Sequence, residues 1–143
     1  MTDNTVIRQQ LELMFNHTGA DVDSADELYH DDAVLEFPQS GERFEGRASF
    51  TAWRSQYPVD ANDMRYRLQR IIIHDDFSAV ELTASYNAGQ TWMCGVQLLD
   101  WRDGKITLER IYVCEPWEPP TWRAPWRAST PAGTVTDPTR ENA

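Results

Sequence analysis

After Asp63 the spacing of apolar residues switches from helical to alternating, and this switch most narrows what the chain can fold into. Met64, Tyr66 and Leu68 alternate with Arg65, Arg67 and Gln69, the period-two pattern of a strand with one wet face. The polar pair Asp75–Asp76 turns the chain, and a strand follows from about Phe77 to Tyr86. A turn at Ala88–Gly89 leads into a long strand from Thr91 to Trp101. Asp103–Gly104 is a strong hairpin signal, because both turn positions must tolerate positive φ, and a last strand spans Ile106 to Glu115. Before the switch the period is helical. Val6, Ile7, Leu11, Met14 and Phe15 mark a helix from about Thr5 to Phe15, with Asp3 or Asn4 as its cap. Ser24 and Glu27 form a capping box for a short second helix carrying Leu28 and Tyr29. AVLEFP reads as a strand stopped by Pro38, QSGERFEG as a loop or hairpin. A helix from about Arg47 to Gln56 sets Phe50, Trp53 and Tyr57 on one face and ends before Pro58. The order α-α-β-α-β-β-β-β, closing on an antiparallel meander, places the chain in the α+β class.

With 143 residues the chain has room for one domain and one core. A net charge of −10 speaks against nucleic acid, which needs a basic face, and against an anionic membrane surface. No run of eighteen apolar residues occurs, and MTDNTVIRQQ lacks the basic-then-apolar pattern of a secretory leader. With only two cysteines, a reduced, cytoplasmic protein is the expectation. From Pro116 the composition becomes rich in Pro, Thr and Ala without periodicity. Residues 1–117 are therefore read as the domain. Residues 118–143 are read as a tail whose first part, with Trp122 and Trp126, lies along the surface, while disorder is expected from about Ser129. His17, His30 and His74 have no metal-ligand spacing, and no glycine-rich phosphate loop or nucleophile elbow occurs. Neither a metal nor a cofactor is indicated.

ELYHDDAVLEFPQSGERFEGR, the FTAWRSQYP helix and DWRDGKITLERIYVCEP, in this order, resemble the SnoaL-like branch of the nuclear transport factor 2-like superfamily over roughly residues 5–117. The resemblance implies a cone-shaped barrel, a curved and mostly antiparallel sheet wrapped around a long N-terminal helix, with a pocket for a small apolar ligand between them. Members include polyketide cyclases, ketosteroid isomerases, limonene epoxide hydrolases, dehydratases and proteins that only bind. This chain departs from the isomerase pattern residue by residue. Phe37 stands before Pro38 where the family's base is an Asp, Leu11 falls near its helix tyrosine, and Gln97 falls near its partnering acid. The acid–base set of the epoxide hydrolases has no clear match.

The same resemblance implies which strand faces look into the cone: Glu109, Ile111 and Val113; Met93, Gly95, Gln97, Leu99 and Trp101; Glu81 and Thr83. A carboxylate in an apolar cone has its charged form disfavoured and its pKa raised toward the range useful for proton transfer. Glu109 is thus expected as the principal acid–base residue, with Glu81 second and Gln97 orienting a substrate oxygen. Tyr29, Phe37, Trp53, Tyr57, Met93, Trp101, Ile111 and Val113 are expected to touch the ligand. Two functions remain open. One is a small cofactor-independent enzyme of the isomerase, cyclase, dehydratase or hydrolase type; the other is a non-catalytic binding or accessory domain. The outward face of the last hairpin (Trp92, Cys94, Val96, Leu98, Leu108, Tyr112, Cys114) is apolar enough to predict a homodimer, and relatives commonly pair sheet to sheet. A three-residue loop in that hairpin would set Cys94 opposite Cys114.

Overall fold

The structure, a computed structural model, describes residues 3–16 and 27–129. Helix α1 (Asn4–Asn16) is followed by β1 (Tyr29–Phe37), β2 (Glu42–Glu45), α2 (Arg47–Arg54) and a short 3₁₀ turn (Ala61–Asp63). Four long strands complete the sheet: β3 (Arg65–His74), β4 (Phe77–Ser85), β5 (Met93–Arg102) and β6 (Lys105–Cys114). The six strands form one sheet in the order β2-β1-β6-β5-β4-β3. All neighbours are antiparallel except β1 and β6. This is the curved, mostly antiparallel sheet with an N-terminal helix expected of the α+β cone.

Asp3 caps α1, its Oδ1 accepting the Thr5 N–H at 2.7 Å. Ile7, Leu11 and Phe15 recur every four residues and are buried, whereas Val6 lies on the wet flank. Phe15 meets Tyr66 of β3 edge to face at 5.7 Å, which fixes the helix across the open side of the sheet.

The expected second helix does not carry Tyr29. Its capping residue Ser24 and His17 lie outside the described residues; Leu28 sits in a turn and Tyr29 already opens β1. Three contacts explain the difference. Tyr29 pairs with Ile106, the Ile106 N–H bonds the Leu28 carbonyl at 2.8 Å, and Arg47 Nη1 donates to the Tyr29 carbonyl at 3.2 Å. Tertiary pairing therefore outweighs local propensity here.

The β5–β6 hairpin closes as a two-residue turn in which Asp103 (φ 51°) and Gly104 (φ 79°) both adopt positive φ. Arg102 pairs with Lys105 and Trp101 with Ile106, but Asp100 pairs with Leu108, so Thr107 is an extra residue bulged out of β6. Its Oγ1 donates to the Asp100 carbonyl at 3.2 Å. A tight turn plus one bulge gives the same offset as a three-residue loop, and Cys94 does stand opposite Cys114, both as free thiols. The bulge also restarts the alternation: Ile106 points in, Leu108 out, and Glu109, Ile111 and Val113 in.

Beyond β6 the tail does not pack on the domain as expected. Trp117, Trp122 and Trp126 are 76, 72 and 79% exposed. The segment holds Pro116, Pro119, Pro120 and Pro125, and its 3₁₀ turn (Thr121–Trp126) buries nothing. Each proline fixes φ and lacks a backbone donor, so this stretch neither continues β6 nor adds a strand that would lay the rings against the sheet. The stretch for which disorder is expected, past Ser129, falls outside the described residues.

Candidate active site

A cavity of about 600 Å³ lies between the concave sheet face, α1 and α2. Its deep wall is β6 and β5, contributing Glu109, Ile111 and Val113, then Met93, Gly95 and Gln97. Leu82 and Ala84 come from β4, and Tyr29 and Phe37 from β1. Trp53, Arg54 and Tyr57 close it from α2 and the turn that follows. A Cβ at Gly95 would stand 3.5 Å from Leu82 Cδ1, an ordinary van der Waals contact, so β4 and β5 pack closely here without requiring glycine. Phe37, Phe44, Trp53, Tyr57 and Tyr86 form a chain of tilted and edge-on rings with centroids 5.3–6.3 Å apart. Phe37, Trp53, Tyr57 and Tyr86 of that chain are the apolar wall of the cavity, Phe44 packs against Phe37 and Trp53, and exposed Tyr57 marks the rim. Tyr66 also lines the space, and burial pushes its hydroxyl up to about 12.

At the floor three polar side chains meet. The buried Tyr29 hydroxyl donates to Glu109 Oε2. Arg54 Nη2 lies 3.5 Å from the Tyr29 oxygen and 3.8 Å from the same Glu109 oxygen. The Arg54 guanidinium also rests over the rings of Tyr29 and Phe50, at 5.4 and 5.3 Å. Burial pushes the Glu109 carboxyl above its usual range, and the Arg54 charge and the Tyr29 hydrogen bond only partly pull it back. Burial first, and then the Glu109 charge, push the Tyr29 hydroxyl far up, so it remains an O–H donor at any working pH. The group can therefore hold a proton on Glu109 or release it, with a cation beside it to compensate whichever oxygen carries the negative charge.

The raised Glu109 pKa predicts a pH-dependent stability. Below about 4.5, the usual value, Glu109 is protonated in both folded and unfolded chains. As pH rises through the window above that value, the unfolded chain gives up the proton first, and stability is lost until the folded pKa is passed. Glu109→Gln has no proton to lose. Its melting temperature relative to wild type is expected to climb as the pH rises above about 4.5, as read by thermal unfolding from acid to neutral pH. A difference that stays flat over the range would show that Glu109 ionises as it does in water.

Two of the expected site residues lie elsewhere. Glu81 is exposed on the opposite face of the sheet, because it pairs with outward Val96, while Val80, Leu82 and Ala84 supply the buried apolar residues of β4. The expected phase of β4 is off by one position, and a one-residue slip turns every side chain over; Thr83 shares the convex face with Glu81, though it is buried there. Trp101 is buried but lies away from the cavity, with its indole N–H donated to Ser78 Oγ at 3.0 Å. It belongs to the hydrophobic core instead. Tyr29, Phe37, Trp53, Tyr57, Met93, Gln97, Glu109, Ile111 and Val113 do come together on the cavity wall. Arg54 was missed, although spacing could have found it: it stands four residues after fully buried Phe50, so it shares that inward helix face. Among the described residues no cluster of three or more His, Cys, Asp or Glu could hold a metal ion. No described helix is long and apolar enough to cross a membrane.

Residues 7–109 match the family model of the SnoaL-like domain. Among solved structures, an NTF-2 like protein of unknown function from Burkholderia xenovorans LB400 is 32% identical, with a TM-score of 0.75 over 89% of this chain and 97% of its own. A protein from Kribbella flavida DSM 17836, provisionally named a ketosteroid isomerase, is 24% identical with a TM-score of 0.73 over 90% of each chain. An LEH-like epoxide hydrolase of M. tuberculosis is 24% identical with a TM-score of 0.63, over 76% of this chain and 83% of its own. The last two show a shared fold. No curated protein matches the chain at a significant level. The sequence model, the closely covered Burkholderia structure and the cone geometry agree: the chain belongs to the SnoaL-like domain family of the nuclear transport factor 2-like fold.

Proposed function

We propose that the protein is a small enzyme that moves a proton on an apolar organic molecule, with Glu109 as the acid–base group and no cofactor. The observation that carries this reading is a single buried carboxyl, raised in pKa, at the floor of an aromatic-walled cavity with a hydroxyl donor and a guanidinium beside it. When Glu109 takes a proton from a carbon next to a carbonyl, its own negative charge passes to the enolate oxygen. Arg54 stays in place to offset that charge and Tyr29 keeps Glu109 oriented, so the site need not reorganise during the step. Returning the proton at another carbon completes an isomerisation, which needs one carboxyl only. Phe37, Trp53, Tyr57, Met93, Ile111 and Val113 would enclose the apolar body.

The test uses 1-tetralone in heavy water. Wild-type protein should accelerate loss of the α-proton signal in NMR spectra well above buffer and above heat-unfolded protein. Equal rates in all three would remove the proton-transfer reading. A non-catalytic binding domain is the second reading, and the outward position of Glu81, which leaves one buried carboxyl on the cavity where two were expected, is the observation that favours it.

The protein is further proposed to act as a cytoplasmic homodimer. Val96 is 39% exposed on the convex face, near half-buried Leu98, Leu108 and Tyr112, while Trp92, counted in that patch from sequence, is buried under the Arg67 guanidinium 4.0 Å from its ring. A shallow groove of about 540 Å³ lined by Cys94, Val96, Tyr112 and Cys114 runs along this face. Light scattering at about tens of micromolar should give twice the chain mass, as for an interface of standard size. A monomer mass at that concentration would count against the pairing.

A further inference from the structure

Gln97 projects from the middle of β5 into the cavity wall, and its amide oxygen is buried without a hydrogen-bond partner among the described residues. A buried acceptor left unpaired is costly, so such an atom marks a place that something else completes. Its neighbours on the same wall are apolar. Gln97 pairs with Ile111 and Val80, and its next neighbours along β5 are Gly95 and Leu99. None of these side chains can donate a hydrogen bond. Glu109 pairs with Leu99, so it stands diagonally across the β5–β6 ladder from Gln97 on the same face. Diagonal neighbours of this kind lie roughly 7–8 Å apart, the span of one or two rings of a small molecule. The terminal amide torsion of Gln is soft and roughly two-fold, so turning the amide over brings the oxygen round to the cavity.

From this geometry we infer that the ligand of this cavity is a hydroxyl-bearing cyclic ketone, whose O–H is donated to Gln97 Oε1 while the carbon next to its carbonyl faces Glu109. The inference rests on the proposed function in taking this cavity as the ligand site. It adds a substrate class: a plain ketone, an olefin or an epoxide has no donor to give and leaves Gln97 unpaired. The aromatic wall accepts the ring body, and Gln97 selects its decoration. Discrimination of this kind comes from the protein's own buried polar atom, which the wrong ligand strands.

The test compares binding of 4-hydroxy-1-tetralone and 1-tetralone by calorimetry, with no turnover required. Wild-type protein should prefer the hydroxyketone by about tenfold to a hundredfold. Gln97→Met keeps the length of the side chain without the acceptor, and should bind both ketones alike. A circular dichroism spectrum and a thermal melt like those of wild type report its intact fold. Gln97→Glu restores an acceptor oxygen and should restore the preference. A wild-type preference below about twofold, or one that survives in Gln97→Met, would overturn the inference. Deuterium exchange into 1-tetralone without a hydroxyl preference would leave the proton-transfer chemistry standing and remove the substrate class. Preference without exchange would do the reverse. Failure of both ketones to bind at about millimolar concentration would remove both.

Discussion

Glu109→Gln is expected to lower turnover about a hundredfold or more while leaving ligand affinity nearly unchanged. The substitution keeps the size and polarity of the side chain, and the Tyr29 hydroxyl can still donate to the remaining carbonyl oxygen. What disappears is the titratable proton. Loss of kcat with an unchanged dissociation constant is the signature of a group that acts in the transition state and not in binding. The deuterium-exchange rate of 1-tetralone measures the first quantity and calorimetry the second. If the variant exchanges protons as fast as wild type, Glu109 is a structural polar group and the cavity a binding pocket. Weakened binding with unchanged kcat would equally displace it from the chemistry. The outward position of Glu81 sharpens this experiment, since among the described cavity residues only the more exposed Glu27 is a second carboxylate.

Phe50→Ala should have the largest effect on stability. Phe50 is fully buried on α2, meets the Tyr29 ring at 5.0 Å in a T-shaped contact, and lies under the Arg54 guanidinium. Removing a buried ring of this kind costs about 3–5 kcal/mol. For a domain of this size that corresponds to a fall in melting temperature of roughly 10 °C or more, measurable by circular dichroism or calorimetry. Phe50→Leu refills most of the space and should cost about half as much. A melting temperature within about 2 °C of wild type in Phe50→Ala would mean that α2 is not anchored through this ring. Tyr29 and Arg54 would then be held in place by something other than the packing described.

The hydrophobic period identifies most strands and both described helices because period reports which residues share a face. It does not report which of two faces is inward, and the candidate site divides along that line. On β5 and β6 the inward phase is as expected, and Gln97, Ile111 and Glu109 stand on the cavity wall. On β4 it is reversed. The connection from Ser85 to Trp92 sets that phase with an irregular turn. Ala88 and Gly89 take positive φ there, and Ser85 Oγ accepts the Gly89 N–H at 2.8 Å. Such a turn has no fixed length to read from residue types, so the register of Glu81 against Val96 is not visible in the chain alone. Tyr29 is expected at the cavity for its ring, whereas its hydroxyl bond to Glu109 joins residues eighty positions apart. Contacts of that span depend on the finished sheet.

The bulged Thr107 uncouples the tip of the last hairpin from its working half. Turn and bulge together set the pairing offset that presents Glu109 to the cavity, yet only the bulge lies next to the strand segment that carries it. A residue gained at Asp103–Gly104 can be taken up at this joint, where the ladder is already broken, before the shift reaches Glu109. Lengthening the hairpin tip by one residue is thus expected to leave the Glu109 carboxyl aimed into the cavity.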